Sequence, residues 1–414
     1  MRRISSNMSH NDLQYALRTQ ESKLNALNNQ IGSQQKIQTL RDDPLAAGHG
    51  VRYQSYLARL ERFEENAEIV DDNIRTSEGY VNQSLQLLQR LRELTVAGAN
   101  GTYTPGDLKN MAIEVDELLK EMVLNANAVG PNGGRLFSGT KLNTEPFVAI
   151  KSDVPGADEP MISGVEYHGS IGVNKVEIDE NAHIAVDQSG SRIFWAERQQ
   201  LLSSADATGY YAPSDASIEI DGVAIPITAG DNVYAIIAKI NDSGAPVRAS
   251  LDPITRGLNL ETTDAHQLWL EDAPGGNVLS SLGLIKEGER PPYNYANDIR
   301  VGGSSAFDVF IGIRDAMLKG DGEYLGGRGL RGADAAIDNL SARLAEMGSQ
   351  TERLAATRSR LSQQIPVTTG FEARELDLDF TKAITDLKMM EYTQRATMGA
   401  MGRLYSNSLL NYLK

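Results

Sequence analysis

Apolar residues keep a seven-residue beat at both ends of the chain and a two-residue beat in the middle. From Leu13, the positions Leu17, Leu24, Leu27 and Ile31 share one helical face, with a single polar interruption at Gln20. Steps of four and three residues average 3.5, the spacing of a narrow coiled-coil seam. Near the other end Leu376, Phe380, Ala383, Leu387, Met390, Gln394, Thr397, Met401 and Leu404 keep the same alternation. This pattern predicts one helix running almost to the last residue. The chain closes on YSNSLLNYLK, with Leu409, Leu410, Tyr412 and Leu413 crowded where most chains turn polar.

Two longer helical zones lie inside these ends. Ile74, Val81 and Leu88 are seven apart, with Leu85 and Leu91 between them; GANGTYTPGD breaks the run, and Met111, Val115, Leu118 and Met122 resume it until VGPNGG. The cleanest stripe is Ile337, Leu340, Leu344, Met347, Thr351, Leu354, Arg358, Leu361 and Ile365. Pro366 is expected to end it, since proline offers no amide donor and clashes with the preceding turn. In LRDDPLAAG, Asp43 is placed to cap a helix and Pro44 to occupy its first position. That motif marks where the N-terminal helix gives way to a second helical layer.

Between Phe147 and Pro292 the period shifts toward two and turn residues multiply. ASIEIDGVAIPIT predicts two strands around Asp221-Gly222, the dipeptide that suits a type I′ turn. Val233 to Ile240 predicts a short helix, and VRASLDPITRGLNLETT a second hairpin around Pro253 to Gly257. NGGRLFSGTKLNTEPF (Asn132–Phe147) looks like a turn-rich connector from helix to sheet. The fold class is therefore α+β, with elongated coiled-coil and bundle domains built from both termini and a β-rich domain inserted between them. The segments are 1–41 (pairing with 368–414), 42–146, 147–292, 293–367 and 368–414. If the two ends pair, their seams are buried in each other, and the apolar residues on the outer side need neighbouring subunits. The candidate assembly interface comprises Leu17, Leu24, Leu27, Ile31, Leu376, Phe380, Leu387, Met390, Met401, Leu404, Leu409 and Leu410, with Asp43 and Pro44 as the helix cap.

Composition narrows the function. A net charge of −15 argues against nucleic acid and against an anionic membrane surface, both of which need basic patches. With no cysteine there are no disulfides and no thiolate chemistry. No apolar run approaches the roughly 18–20 residues of a membrane span, and MRRISSNMSHN turns polar where a secretory signal would be apolar. The five histidines (His10, His49, His168, His183, His266) are scattered, and GGRGLRG lacks the strand and the Gly-Lys-Ser/Thr ending of a phosphate loop, so it reads as a flexible joint. Neither cofactor, metal nor enzymatic activity is expected. The methionines Met389, Met390, Met398 and Met401 fit either packing against copies of the same chain or an adaptable binding face.

Four stretches carry a resemblance to the flagellin family: RISSNM at Arg3–Met8, DDPLAAG at Asp42–Gly48, GGRLFSGTKLNTEPF at Gly133–Phe147, and DLDFTKAITDLK with SLLNYLK at the C-terminus. RLFSGTK with the following Pro-Phe resembles the members at the hook–filament junction more than flagellin itself, and residues 213–284 are similar to the family's β-rich hook IN segment. IGSQQKIQTLRDDP departs from the usual Ser-Gly-Lys/Arg step. The resemblance implies a structural adaptor of the bacterial flagellum, joining the hook, through the preceding hook-associated protein, to the flagellin filament. It further implies a ring of copies of the chain itself, uncleaved secretion through the flagellar type III apparatus with an export chaperone, and a location outside the cell (the periplasm in a spirochaete). Filament flagellin, and a secreted coiled-coil adhesin or needle-tip-type protein, are the alternatives.

Overall fold

The computed structural model describes residues 6–39 and 41–410, and within these all side chains except those of 6–10, 13 and 404–410. The chain forms two compact units: one built from its two ends, up to Glu65 and from Arg358, the other from Asn66–Thr357. The boundaries fall inside two long helices, Pro44–Ala99 and Leu330–Leu376.

In the terminal unit, helix Ser6–Ser33 packs on helix Phe380–Leu410. Leu17, Gln20, Leu24, Leu27 and Ile31 are half-buried, as are Leu387, Met390, Gln394, Thr397 and Met401, while Ala383 is buried. The expected single C-terminal helix is in fact two. Leu376 ends the preceding helix, Asp377–Asp379 break it, and a new helix starts at Phe380. Leu376 consequently packs on Ile37, Ala46 and Ala47, away from the terminal seam. Pro366 does not end its helix either. A proline inside a helix costs about 3 kcal/mol. Here Leu361 is buried against Leu60 and Phe63, with Tyr56 and Ile365 around them, and this packing carries the helix through.

In the second unit, the helices Pro105–Ala126 and Ala306–Lys319 each begin with a complete capping box, Thr104–Asp107 and Ser305–Asp308. They pack with the long helices around a core that includes Ile74, Val81, Leu88, Val115, Met122, Phe310, Ile313, Leu340 and Met347. The glycines of GGRGLRG are not a flexible joint. Gly326, Gly327 and Gly329 sit in a π-helical turn, Leu325–Gly329, and Gly332 in the helix that continues from it. A Cβ at Gly329 would stand 3.1 Å from Ile313 and one at Gly332 3.0 Å from Val309, so the missing side chains set how closely these helices approach.

The β-rich middle divides between two cores. The hairpins Phe147–Ser152/Met161–Tyr167 and Lys175–Asp179/Ala182–Ala185 contribute Phe147, Ile162, Tyr167, Ile178 and Ile184 to the helical core. The second core lies between two sheets and helix Val233–Asp242. One sheet orders Leu270–Asp272, Ala216–Ile220 and Val223–Ile227; the other orders Arg300–Gly302, Gln200–Leu202, Leu258–Thr262 and Val247–Leu251. Both expected hairpins are present, and Asp221 and Gly222 have φ of +50° and +79°, as a type I′ turn requires. The segment that serves the second core runs from strand Gln200–Leu202 to strand Arg300–Gly302, past Pro292, within the same compact unit. Its two ends meet where the amides of Ala196 and Glu197 donate to Ser304 O, at 3.0 and 3.1 Å.

These contacts define which excision the fold tolerates. Replacing 198–302 by a short glycine linker joins ends that already touch, so the helical core should still unfold cooperatively, within a few degrees of the parent. Excising 149–291 removes Ile162, Tyr167 and Phe194, and each buried aromatic lost costs about 3–5 kcal/mol; that chain should fail to fold. Thermal unfolding of the two proteins by circular dichroism checks both outcomes.

Candidate assembly surface

The two ends of the chain are tied at one level. Lys36 N donates to Leu376 O at 2.7 Å and Leu378 N to Gln34 O at 3.0 Å, around a bridge between Gln35 and Asp377. The bridge adjoins the end of helix Ser6–Ser33 and the start of helix Phe380–Leu410, so the two helices run antiparallel. Asp42 Oδ2 accepts from the amides of Thr39 and Gln38 at 2.8 and 3.1 Å, which closes the turn and holds its carboxyl below the ordinary range. Asp43 Oδ1 accepts from Leu45 N and Ala46 N at 3.2 and 3.1 Å, capping the helix that opens with Pro44. Asp379 does the same for the last helix, its Oδ1 accepting from Lys382 N at 3.0 Å. DLDF carried that signal, an aspartate just before an apolar run, and the unbroken seam pattern concealed it. Gly50 is the other residue that the pattern missed: a Cβ there would lie 2.5 Å from Leu376 Cδ2, so any larger residue would push the leucine from its present position.

Counted outward from this bridge, Gln20 lies 15 residues and Gln394 17 residues away, within one helical turn of each other, and both are half-buried. Gln20 Oε1 has no hydrogen-bond partner among the described residues. A polar level inside an apolar seam sets register at some cost in stability.

Large apolar side chains stay exposed on the flanks of the pair, among charged ones such as Lys388, Glu391 and Arg395. Tyr15 and Tyr392 are each 75% exposed and Met389 64%. At 100° per residue, Phe380, Ile384 and Met398 line one side of the seam of the last helix, and Met389 and Tyr392 lie on its far side; all are exposed. Phe380 therefore belongs to the flank and not to the seam where the spacing put it. The four methionines divide likewise: Met390 and Met401 are half-buried in the seam, Met389 and Met398 face out. Leu404, Leu409 and Leu410 lie in the helix, but their side chains are outside the described set, and Tyr412 and Leu413 lie outside the described residues altogether.

The RLFSGTK stretch is no mere connector. Phe137 and Phe147 are buried with Phe194, Phe307 and Tyr167, with ring centroids 5.0 to 5.8 Å apart for the close pairs. Asn127, just past helix Pro105–Ala126, donates to Phe147 O at 2.7 Å and accepts from Phe147 N at 2.9 Å, as a neighbouring strand would. Beneath it Arg314, fully buried, is held by Asp116 at 2.8 Å, Asp315 at 2.8 Å and Ile162 O at 2.7 Å. Among the described residues no group of three His, Cys, Asp or Glu is placed to hold a metal ion, and no helix is long and apolar enough to cross a membrane.

Comparison with known proteins places this arrangement. Residues 4–142 match the bacterial flagellin N-terminal helical region, and residues 214–264 match the flagellin hook IN motif. The chain is 21% identical to polar flagellin C of Vibrio parahaemolyticus over 99% of both chains. It is 22% identical to flagellar hook-associated protein 3 of Escherichia coli over 61% of this chain and 73% of that protein. The crystal structure of a flagellar hook-associated protein 3 from Legionella pneumophila matches 78% of this chain and 97% of that one, at 16% identity and a TM-score of 0.48.

The glutamine level gives a direct check on register. Replacing Gln20 and Gln394 together by leucine removes two partly desolvated amides, each costing about 1–3 kcal/mol when unpaired. The isolated protein should gain helix-pair stability by a similar amount, read as slower amide exchange through residues 14–31 and 383–401. The same variant should lose its single register, read as more than one set of spin-label distances between residues 28 and 388.

Proposed function

We propose that this chain, which carries a flagellin N-terminal helical region and a hook IN motif, is a structural adaptor of the bacterial flagellum, joining the hook to the flagellin filament. The observation that carries the reading is the pair of apolar flanks on the terminal helices. Met389 and Tyr392 on the face away from the seam, and Phe380, Ile384 and Met398 beside it, are exposed among the described residues. Apolar surface on two sides of one element suits a subunit with a neighbour on each side, as in a ring of copies. Flagellar hook-associated protein 3 is a relative named for its association with the hook, and the RLFSGTK stretch resembles that group. On this reading the preceding hook-associated protein lies on the hook side and flagellin on the filament side. The chain is exported without cleavage by the flagellar type III apparatus, with a chaperone holding the terminal helices until assembly, and it works outside the cell. Its work is mechanical and includes no enzymatic step.

A second reading, filament flagellin, is favoured by the match to polar flagellin C over 99% of both chains. Copy number separates the two: an adaptor is present as about one ring per flagellum, a filament subunit in great excess. Loss of the gene should leave hooks intact while flagellin is shed into the medium. Absence of flagellin from both filament and medium would favour the second reading.

Residue substitutions test the flank itself. Met389→Asp and Tyr392→Asp put a carboxylate where water already reaches in the isolated chain, so its thermal midpoint should stay within a degree or two. At an assembled interface the same charge is buried without a partner, at a cost of several kcal/mol. Flagellin shedding with unchanged melting is the expected pair of results. Normal filaments in both variants would mean that this flank meets no subunit.

A further inference from the structure

The charged cluster between the two cores of the second unit has no part in the assembly surface. His266 is buried, its side chain 4% exposed: Nε2 lies 3.1 Å from Asp221 Oδ2, while Nδ1 is hydrogen-bonded to Asp264 O at 3.1 Å and lies 2.8 Å from the Asp264 carboxylate as an ion pair. Asp264 Oδ2 in turn accepts from Arg192 at 3.0 Å and from Arg343 at 2.9 Å. These residues come from different parts of the fold. Arg192 adjoins Ile193 and Phe194 of the helical core, and Arg343 lies on the helix that supplies Leu340 and Met347 to it. Asp221 is the turn of the first hairpin, whose Ile218, Ile220 and Ile225 belong to the second core. The segment that carries His266 stitches the two together: Gln267 N donates to Ser191 O at 3.1 Å, and Asp221 pairs with the backbone of Trp269 on both sides, at 2.9 Å.

We propose that His266, with Asp221, Asp264, Arg192 and Arg343, forms a protonation-dependent latch that holds the module 196–304 against the helical core. The argument is one of donors. Imidazolium offers an N–H from each nitrogen, one to the Asp221 carboxylate and one to Asp264, whose backbone O accepts it beside the carboxylate; neutral imidazole has only one. Once the proton leaves for solvent, whichever nitrogen lost it faces an acceptor oxygen lone pair to lone pair at about 3 Å, next to an imidazole and an Asp221 carboxylate that are both buried. Either the link to the hairpin turn or the link toward the arginine pair then loses its donor.

Burial alone would lower the pKa of His266, but the hydrogen bonds and charges of Asp221 and Asp264 outweigh it and raise it from 6.5 to about 9. Asp264 is held well below the carboxylate range by the hydrogen bond from His266, then by Arg192. The other titratable groups facing the cluster are Tyr293 and Tyr295, both raised by burial, and Glu346, which is ion-paired with Arg343 at 2.9 Å. The sign follows from the raised value. The latch is fully closed below about pH 6.5, is still closed at neutral pH, and opens as pH climbs through about 9.

The protein carries its own reporters, since its two tryptophans, Trp195 and Trp269, both lie at this joint. In the full-length chain, tryptophan emission and amide exchange of residues 264–269 should change together between pH 7.5 and 10, with a midpoint near 9. His266→Gln should abolish that transition, leaving only the titration of exposed tyrosines. The proposal is overturned if the transition persists unchanged in His266→Gln, or if its midpoint falls near 6.5. Should that variant fail to fold, the imidazole resonance of His266 decides, observed in a chain whose other four histidines are replaced. Titration near 9 with matching amide shifts at 217–227 supports the latch. Titration near 6.5, or titration without those shifts, overturns it.

Discussion

The terminal pair depends on one crossing of the chain, where Gln34 to Lys36 lie against Leu376 to Leu378. Two backbone hydrogen bonds of this kind contribute only about 1 kcal/mol each, so the crossing matters for where it is and not for its strength. It fixes the level from which both seams are counted, and isolated helices of this length would be marginal without such a partner. Asp43 and Asp379 then restart a helix on each side of it, each by accepting the amides that a first turn leaves open. Leu376 fills the corner between them because Gly50 leaves room.

Much of this frame was legible in the sequence. A narrow buried strip selects apolar residues at a fixed spacing, so Leu17, Leu24, Leu27, Ile31, Leu387, Met390 and Met401 could be read from their intervals. The hairpins were legible because a type I′ turn demands residues such as Asp221-Gly222. Spacing fails where a helix restarts. Phe380 keeps the interval, yet it is the first residue of its helix and faces outward. The proline rule failed at Pro366 because long-range packing of Leu361 against Leu60 and Phe63 outweighs a local penalty.

The middle of the chain was legible only as strands. A period of two says that a face is buried but not in which core, so the division between 147–195 and the module beyond it left no trace in the pattern. Nor did the side chains that stand in for absent strands. Asn127 pairs with the backbone of Phe147; Asn241 does the same for Ala249, donating at 3.0 Å and accepting at 2.8 Å; and Asn294 serves Leu270 O at 2.9 Å. An asparagine in a polar stretch looks like a turn residue, and only tertiary structure reveals the edge that it closes.

The terminal helices face opposing demands, and their thin seam reconciles them. A wider apolar stripe would bury more surface within the chain and hold the pair more firmly. It would also consume the side chains at Met389, Tyr392, Ile384 and Met398 that now remain outside. A seam one residue wide, interrupted at Gln20 and Gln394, supplies register rather than strength. The apolar surface left over stays exposed, and on the proposed adaptor reading it is what neighbouring subunits cover. Thr397 and Ala383 in the seam fit the same economy: small or polar residues inside keep the intrachain contact weak, while among the described side chains of the last helix both aromatics, Phe380 and Tyr392, stand outside the seam.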